Sequence, residues 1–175
     1  MTIQNHVLSV LVQNHHGVLS RISGMFAARG FNIDSLTVGP THDPAISRMT
    51  VALKGDSAII DQLENQLNKV TEVIVVKQLS QSAAFVDREL VLVKVKATAE
   101  KRSEIMEIIN IFRAKTVDIT PTTMTIEVTG TQDKLNTMLS MVESYGILEI
   151  ARTGIVGLMR GPDGMHVGAL AEQKH

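Results

Sequence analysis

The stretch NHHGVLSRISGMFAARGFNIDSL, residues 14–36, gathers the side chains best suited to chemistry in this chain. His15 and His16 stand beside a glycine where an amphipathic helix begins, and imidazole serves as metal ligand and as acid or base near neutral pH. Asn14 and Asn32 flank that helix, and each carboxamide offers both donors and an acceptor. These residue types allow three chemistries: a metal site, a catalytic loop, or a pocket that holds a small molecule through backbone and amide groups.

The metal reading lacks geometry. The histidines are His6, His15, His16, His42, His166 and His175, with no HxxxH or HExxH spacing on a helix. Adjacent side chains such as His15 and His16 do not easily face one ion, so both read as exposed loop residues. There is no cysteine, which removes thiolate ligands, disulfides and a cysteine nucleophile. Catalysis fares no better: GxSxG, GxxxxGK[ST] and a GxGxxG between strand and helix are all absent. GLMRGPDG (157–164) is glycine-rich but follows a last strand and opens no helix. No nucleophile is assembled with a base.

The third chemistry fits the residues. A helix N-terminus presents unpaired N–H groups and a positive dipole end, which suit a carboxylate. Gly17 in the first turn lets a ligand approach the backbone with no Cβ in the way. Asn14 and Asn32 can read an ammonium or a carboxylate, and Val18, Leu19, Ile33 and Val38 can enclose an aliphatic side chain. The same spacing also suits a plainer arrangement, with Asn14 a helix cap, Gly17 a turn residue and Asn32 a strand-edge residue.

Hydrophobic periodicity places these residues. HVLSVLVQ (6–13) alternates as a strand, with Leu8, Val10 and Val12 on one face. A helix follows from Gly17 with Val18, Leu19, Ile22, Met25 and Phe26 in one stripe, and Gly30 ends it. FNIDSLTVG (31–39) and SRMTVALKG (47–55) read as strands, separated by the loop PTHDPAIS. Asp56 or Ser57 caps a second helix carrying Ile60, Leu63, Leu67 and Val70, and EVIVVKQL (72–79) is a fourth strand. The order β-α-β-β-α-β predicts a four-stranded antiparallel sheet with both helices on one face and the other face uncovered. Such an uncovered face invites a partner or ligand. The pattern repeats less clearly: a strand at 88–97, a helix at 100–114, VDITP, a strand at 123–130, a helix from 131, and ILEIART. The predicted fold class is α+β, two ferredoxin-like βαββαβ domains at 1–80 and 88–161, a linker at 81–87 and a flexible tail at 162–175.

Composition narrows the partners. The 175 residues are 44% hydrophobic and 20% charged, enough for packed cores. Net charge is −1 and aromatics are 3%, which leaves neither a field for phosphate backbones nor platforms for base stacking. An RNA-binding module of this topology displays aromatics on its third strand, and SRMTVALKG has none. No apolar run reaches membrane-spanning length and the N-terminus carries no leader pattern, so a cytoplasmic location is expected.

The string N-x-x-G-V-L-x-R-I-x-x-x-F-x-x-R-G-[FY]-N-I-[DE]-S-L-T-V, met here from Asn14 to Val38, resembles the N-terminal ACT domain of the small, regulatory subunit of acetolactate synthase (acetohydroxyacid synthase). The resemblance continues through SRMT, LVKVKA, IFRAKTVDITP and ARTGIVGLMRG, covers roughly residues 6 to 161, and favours the bacterial form over the duplicated plant form. It implies a subunit with no catalysis and no cofactor of its own. It implies a large catalytic partner, a transferase that uses thiamine diphosphate, Mg2+ and FAD to condense two pyruvates, or pyruvate with 2-oxobutyrate. The small subunit would raise that activity and confer feedback inhibition by valine, often with leucine or isoleucine. The resemblance further implies a homodimer joined through ACT domains into an eight-stranded sheet. Asn14, Gly17, Val18 and Leu19 would then hold an effector with Asn32 and Ile33 of the second chain. A free-standing ACT-type sensor is the alternative expectation.

Overall fold

The computed structural model describes residues 4–81, 84–162 and 164–165. Two compact units divide the chain: Asp87–Gly154 forms one, and the residues up to Val86 together with those from Ile155 onward form the other.

The first unit contains β1 (Gln4–Gln13), α1 (Val18–Ala28), β2 (Ile33–Pro40), β3 (Ile46–Gly55), α2 (Ser57–Leu67) and β4 (Val73–Gln78). The strands lie in the order β2-β3-β1-β4 with antiparallel neighbours, the arrangement expected of a split βαβ unit. Leu8, Val10 and Val12 on β1, Met49, Val51 and Leu53 on β3, Ile22 and Phe26 on α1, and Ile60, Leu63 and Leu67 on α2 make one buried core. Alternation on the strands and the 3.6-residue stripe on the helices converge on one side of the sheet.

Both helix ends follow from local chemistry. Asp56 caps α2, its carboxylate accepting from the Ala58 amide at 3.0 Å. The exit from α1 is a Schellman motif: Gly30 sits at φ +69°, its N–H bonds the Ala27 carbonyl, and the Phe31 N–H bonds the Phe26 carbonyl. Phe31 then packs edge-on against Phe26 with ring centroids 6.3 Å apart. That apolar contact fixes the direction of the chain into Asn32.

The second unit repeats the topology. β5 (Phe85–Lys96), α3 (Arg102–Ile111), β6 (Lys115–Ile119), β7 (Thr123–Gly130), α4 (Gln132–Glu143) and β8 (Ile147–Arg152) give the strand order β6-β7-β5-β8. Its core is Val91, Val93 and Val95, Met124, Ile126 and Val128, with Ile105, Ile109, Leu135, Met138 and Val142 from the helices. Glu89 is buried at the core margin and takes two bonds from the Arg152 guanidinium, at 2.9 and 2.6 Å. Hydrogen bonding to Glu89 holds Arg152 above its ordinary pKa.

Where α3 begins, Lys101 donates to Glu104 at 3.0 Å and so does the Tyr145 hydroxyl, also at 3.0 Å. The Lys101 bond, and then the Tyr145 bond, hold the Glu104 carboxyl below its ordinary value. A depressed carboxylate stabilises the fold above its unfolded pKa, and that contribution fades as pH falls through the folded one. The Glu104 carboxyl resonance is therefore expected to titrate below the ordinary range, and Lys101→Met to move the midpoint upward.

The structure differs from the sequence expectation at the open sheet faces. In the first unit Val7, Ser9 and Leu11 point away from the helices yet are buried. A ninth strand, β9 (Val156–Met159), lies against β1 and the 3-10 turn Leu79–Gln81. A Cβ at Gly157 would stand 2.8 Å from Leu79 and 3.8 Å from Val7 and Thr50, so only glycine lets the strand lie so close. The Ile155 N–H bonds Ser35 Oγ at 3.4 Å, and Arg160 N–H bonds the Ala84 carbonyl. The chain covers its own sheet, because exposed apolar strand surface is costly. In the second unit the open face carries Lys94, Lys115, Asp118, Glu127 and Glu149, with Leu92 and Ala151 between them. Strand β9 in turn exposes Val156 and Leu158, while the open face of the second unit is mainly charged. Strand β5 already starts at Phe85, inside the expected linker, and most of the expected tail lies outside the described residues.

Candidate functional site

Helix α1 starts without a side-chain cap. Gly17 is its N-cap residue, held in the left-handed region at φ +86° with no side-chain hydrogen bond and no acidic residue in the first turn. The Gly17 carbonyl accepts from Arg21 N–H at 2.9 Å, whereas the amides of Val18, Leu19 and Ser20 meet no acceptor among the described residues. Nothing lies within 4 Å of the position a Gly17 Cβ would take. Three amides without an acceptor at the positive end of a helix, beside the open space at Gly17, suit an anion.

Asn14 borders that seat and does not cap the helix. Its backbone N–H bonds the Ala45 carbonyl at 2.7 Å and its Nδ2 bonds the Pro44 carbonyl at 2.8 Å. These bonds clip the β1–α1 loop to the β2–β3 loop, and Oδ1 accepts no bond among the described residues. His15 spans local acceptors, Nδ1 3.1 Å from the His16 carbonyl and Nε2 3.2 Å from Gln13 Oε1. Both histidines are exposed, and no group of three or more His, Cys, Asp or Glu converges among the described residues.

Register places the remaining residues at two ends. Val38 pairs with Met49, which pairs with Val10, so Val38 lies near the Asn14 end of the sheet. Leu19 is 46% exposed and Val38 42%, which leaves apolar surface on the first turn of α1 and on β2. Val18 contributes its amide alone, because its side chain is 4% exposed and packs in the core. Ile33 pairs with Leu53 and so lines up with His6, at the opposite end, and Asn32 precedes it. The 11 residues of α1 separate Gly17 from that end by about 16 Å. Asn14, Gly17 and Leu19 thus stand at one end of α1, Val38 lies in the half of the sheet toward that end, and Asn32 and Ile33 stand at the other end.

One contact escaped the sequence reading. Arg21 on α1 pairs with Glu72 at 2.6 Å, and the Gln13 N–H bonds the Glu72 carbonyl. Glu72 is buried, so the pair anchors the first turns of α1 to the sheet end beneath them. No sequence periodicity marks an ion pair between segments so far apart along the chain.

Residues 8–75 match the family model of the AHAS small subunit-like ACT domain, and residues 88–161 match that of the small subunit of acetolactate synthase. The chain belongs to the acetolactate synthase small-subunit family. A probable acetolactate synthase small subunit of Archaeoglobus fulgidus is 48% identical over 89% of this chain and 97% of its own length. The acetolactate synthase isozyme 3 small subunit of Escherichia coli is 45% identical, over 89% of this chain and 95% of its own. The crystal structure of the small subunit from Thermotoga maritima superposes with a TM-score of 0.85 at 37% identity, covering 91% of this chain and 99% of that one. The family match to residue 161 runs past Gly154, where the second unit ends, and so includes β9. Among the described residues no helix is long and apolar enough to cross a membrane.

Proposed function

We propose that this chain is the regulatory subunit of an acetolactate synthase. It raises the activity of a catalytic large subunit, which condenses two pyruvates to 2-acetolactate and CO2, and it makes that activity sensitive to valine or a related branched-chain amino acid. Thiamine diphosphate, Mg2+ and FAD belong to the large subunit.

The observation that carries this reading is the divided site. Free amides of Val18 and Leu19 with Asn14 stand at one end of α1, and Asn32 stands at the other. Strand β2 is a sheet edge, paired with β3 alone among the described strands. A two-fold axis that joins β2 to its copy extends the sheet to eight strands and sets the two α1 helices antiparallel. The Asn32 end of one chain then meets the Gly17 end of the other. The carboxylate of valine rests on the amides, its ammonium takes the two asparagine Oδ1 atoms, and Leu19 and Val38 surround its side chain.

Binding across two protomers favours one arrangement of the dimer, and the attached large subunit responds to that arrangement. A tenfold inhibition needs a differential affinity of about 1.4 kcal/mol, within reach of a few charge-assisted hydrogen bonds. Reconstitution with the cognate large subunit, titrated with valine, leucine and isoleucine, tests the proposal. Activation with saturable inhibition is expected. Failure to bind or activate a large subunit would favour a free-standing amino-acid sensor.

Asn14→Ala separates recognition from assembly. Removing Oδ1 and Nδ2 is expected to weaken valine binding roughly tenfold, about the worth of one charge-assisted bond, with dimerisation and activation retained. Unchanged affinity in calorimetry contradicts the assignment of Asn14.

A further inference from the structure

The exposed edge of the second unit carries its own recognition pattern. Strand β6 is bonded to β7 on one side and forms the end of its sheet among the described strands. Val117 is 50% exposed and Ile119 53%, and Met106 of α3 adds exposed apolar surface beside Thr116, whose hydroxyl touches its sulfur at 3.7 Å. Such an edge is a template for another strand unless it is blocked. A bulge between Thr116 and Asp118 and the charge of Lys115 are features that usually discourage pairing. Here the charge has a complement three residues along the same strand.

Register makes the point specific. Lys115 pairs with Glu127 and Asp118 with Thr125, so both project to the open face of the sheet. Thr116 and Ile119 pair with the core residues Ile126 and Met124 and take the helical face. We infer that β6 pairs antiparallel with β6 of a second copy of this chain, centred between Thr116 and Val117, with Lys115 of each chain opposite Asp118 of the other. Shifting that register by one residue sets Lys115 against Ile119 or Val117 and loses the charge match. In the paired register the open face reads Glu127, Lys115, Asp118, Thr125, Lys94 and Glu149 across the joined sheets, with Lys115 between two acids. Edge β8 has no comparable self-complementary pair, since its open-face residues are Glu149 and Ala151.

The absence of cysteine in this chain permits a direct test on the full-length protein. Lys115→Cys and Asp118→Cys chains, mixed and mildly oxidised, are expected to form a disulfide-linked pair. Each variant alone is expected to remain unlinked, because like positions lie about 10 Å apart along the strands, beyond disulfide reach. Linkage of either variant to itself as readily as in the mixture overturns the register, and no linkage in the mixture overturns the pairing. The second arm resolves each step of self-association by sedimentation, because a pairing through β2 would persist in every variant. Lys115→Asp is expected to weaken one step at least tenfold, and K115D/D118K to restore it, with circular dichroism unchanged in both. Equal association of all three proteins, or no rescue by the double variant, contradicts the inference. The disulfide arm reads β6 alone and holds whether or not the first units pair through β2.

Discussion

Gly17→Asp is expected to abolish the response to valine in the reconstituted enzyme while leaving the subunit folded. Space is not the obstacle, because nothing lies within 4 Å of the added Cβ. Backbone strain is: at φ +86° a side chain costs about 1–2 kcal/mol. Aspartate offsets much of that cost, since its carboxylate caps free amides at a helix start by about 0.5–2 kcal/mol. The same cap defeats the effector. It fills the anion seat of Val18, Leu19 and Ser20 with a tethered negative charge, and a second carboxylate must displace it against repulsion. Inhibition should vanish at valine concentrations that saturate the wild-type enzyme, with activation of the large subunit retained. Gly17→Ala adds comparable strain without charge and is expected to keep a weakened response. Normal valine inhibition in Gly17→Asp would remove the helix start from the site.

The largest effect on stability is expected at Phe26. Its side chain is 1% exposed, sits in the core of the first unit and stacks edge-on against Phe31. Phe26→Ala removes a buried ring and leaves a cavity, a change that costs about 3–5 kcal/mol. A marginally stable domain loses much of its margin at that cost, so chemical denaturation should show a large fall in midpoint. The variant is also expected to weaken valine binding at the proposed site, because the Phe26–Phe31 contact closes the turn that leads into Asn32. Phe26→Leu restores most of the volume and is expected to recover most of the stability. It should still weaken valine binding, since the ring contact behind Asn32 is lost. Equal stability of Phe26→Ala and wild type would contradict the packing described here.

Local pattern carried most of this architecture. Leu8, Val10 and Val12 on a period of two, and Val18, Ile22 and Phe26 on a period near four, are legible because one buried face dictates each. Gly30 was legible as a stop because a Schellman turn demands a left-handed residue. Strand β9 was not, since Val156–Met159 is four residues long with a glycine inside, and its partner surface is distant in sequence. The cover it places over Val7 and Thr50 is a long-range event with no periodic signature. Within the site, Gly17 ahead of an apolar stripe announced a free helix start. The fastening of Asn14 to Pro44 did not announce itself, because it depends on where two loops meet. Val18 illustrates the limit: its position in the stripe already placed its side chain in the core, and only its amide remains for a ligand.

The central claim is that each effector site is shared, with Gly17 from one chain and Asn32 from its partner. Mixing two defective full-length variants, Gly17→Asp and Asn32→Ala, tests it most directly. A dimer of one with the other carries one site with both defects and one site with neither. Calorimetry of the re-equilibrated mixture should therefore show valine binding with wild-type affinity and about a quarter of the wild-type capacity, as random pairing of a symmetric dimer requires. Gly17→Asp alone should bind none, and Asn32→Ala alone should bind only with weakened affinity. A mixture without sites of wild-type affinity would place the whole site within one chain and contradict the account.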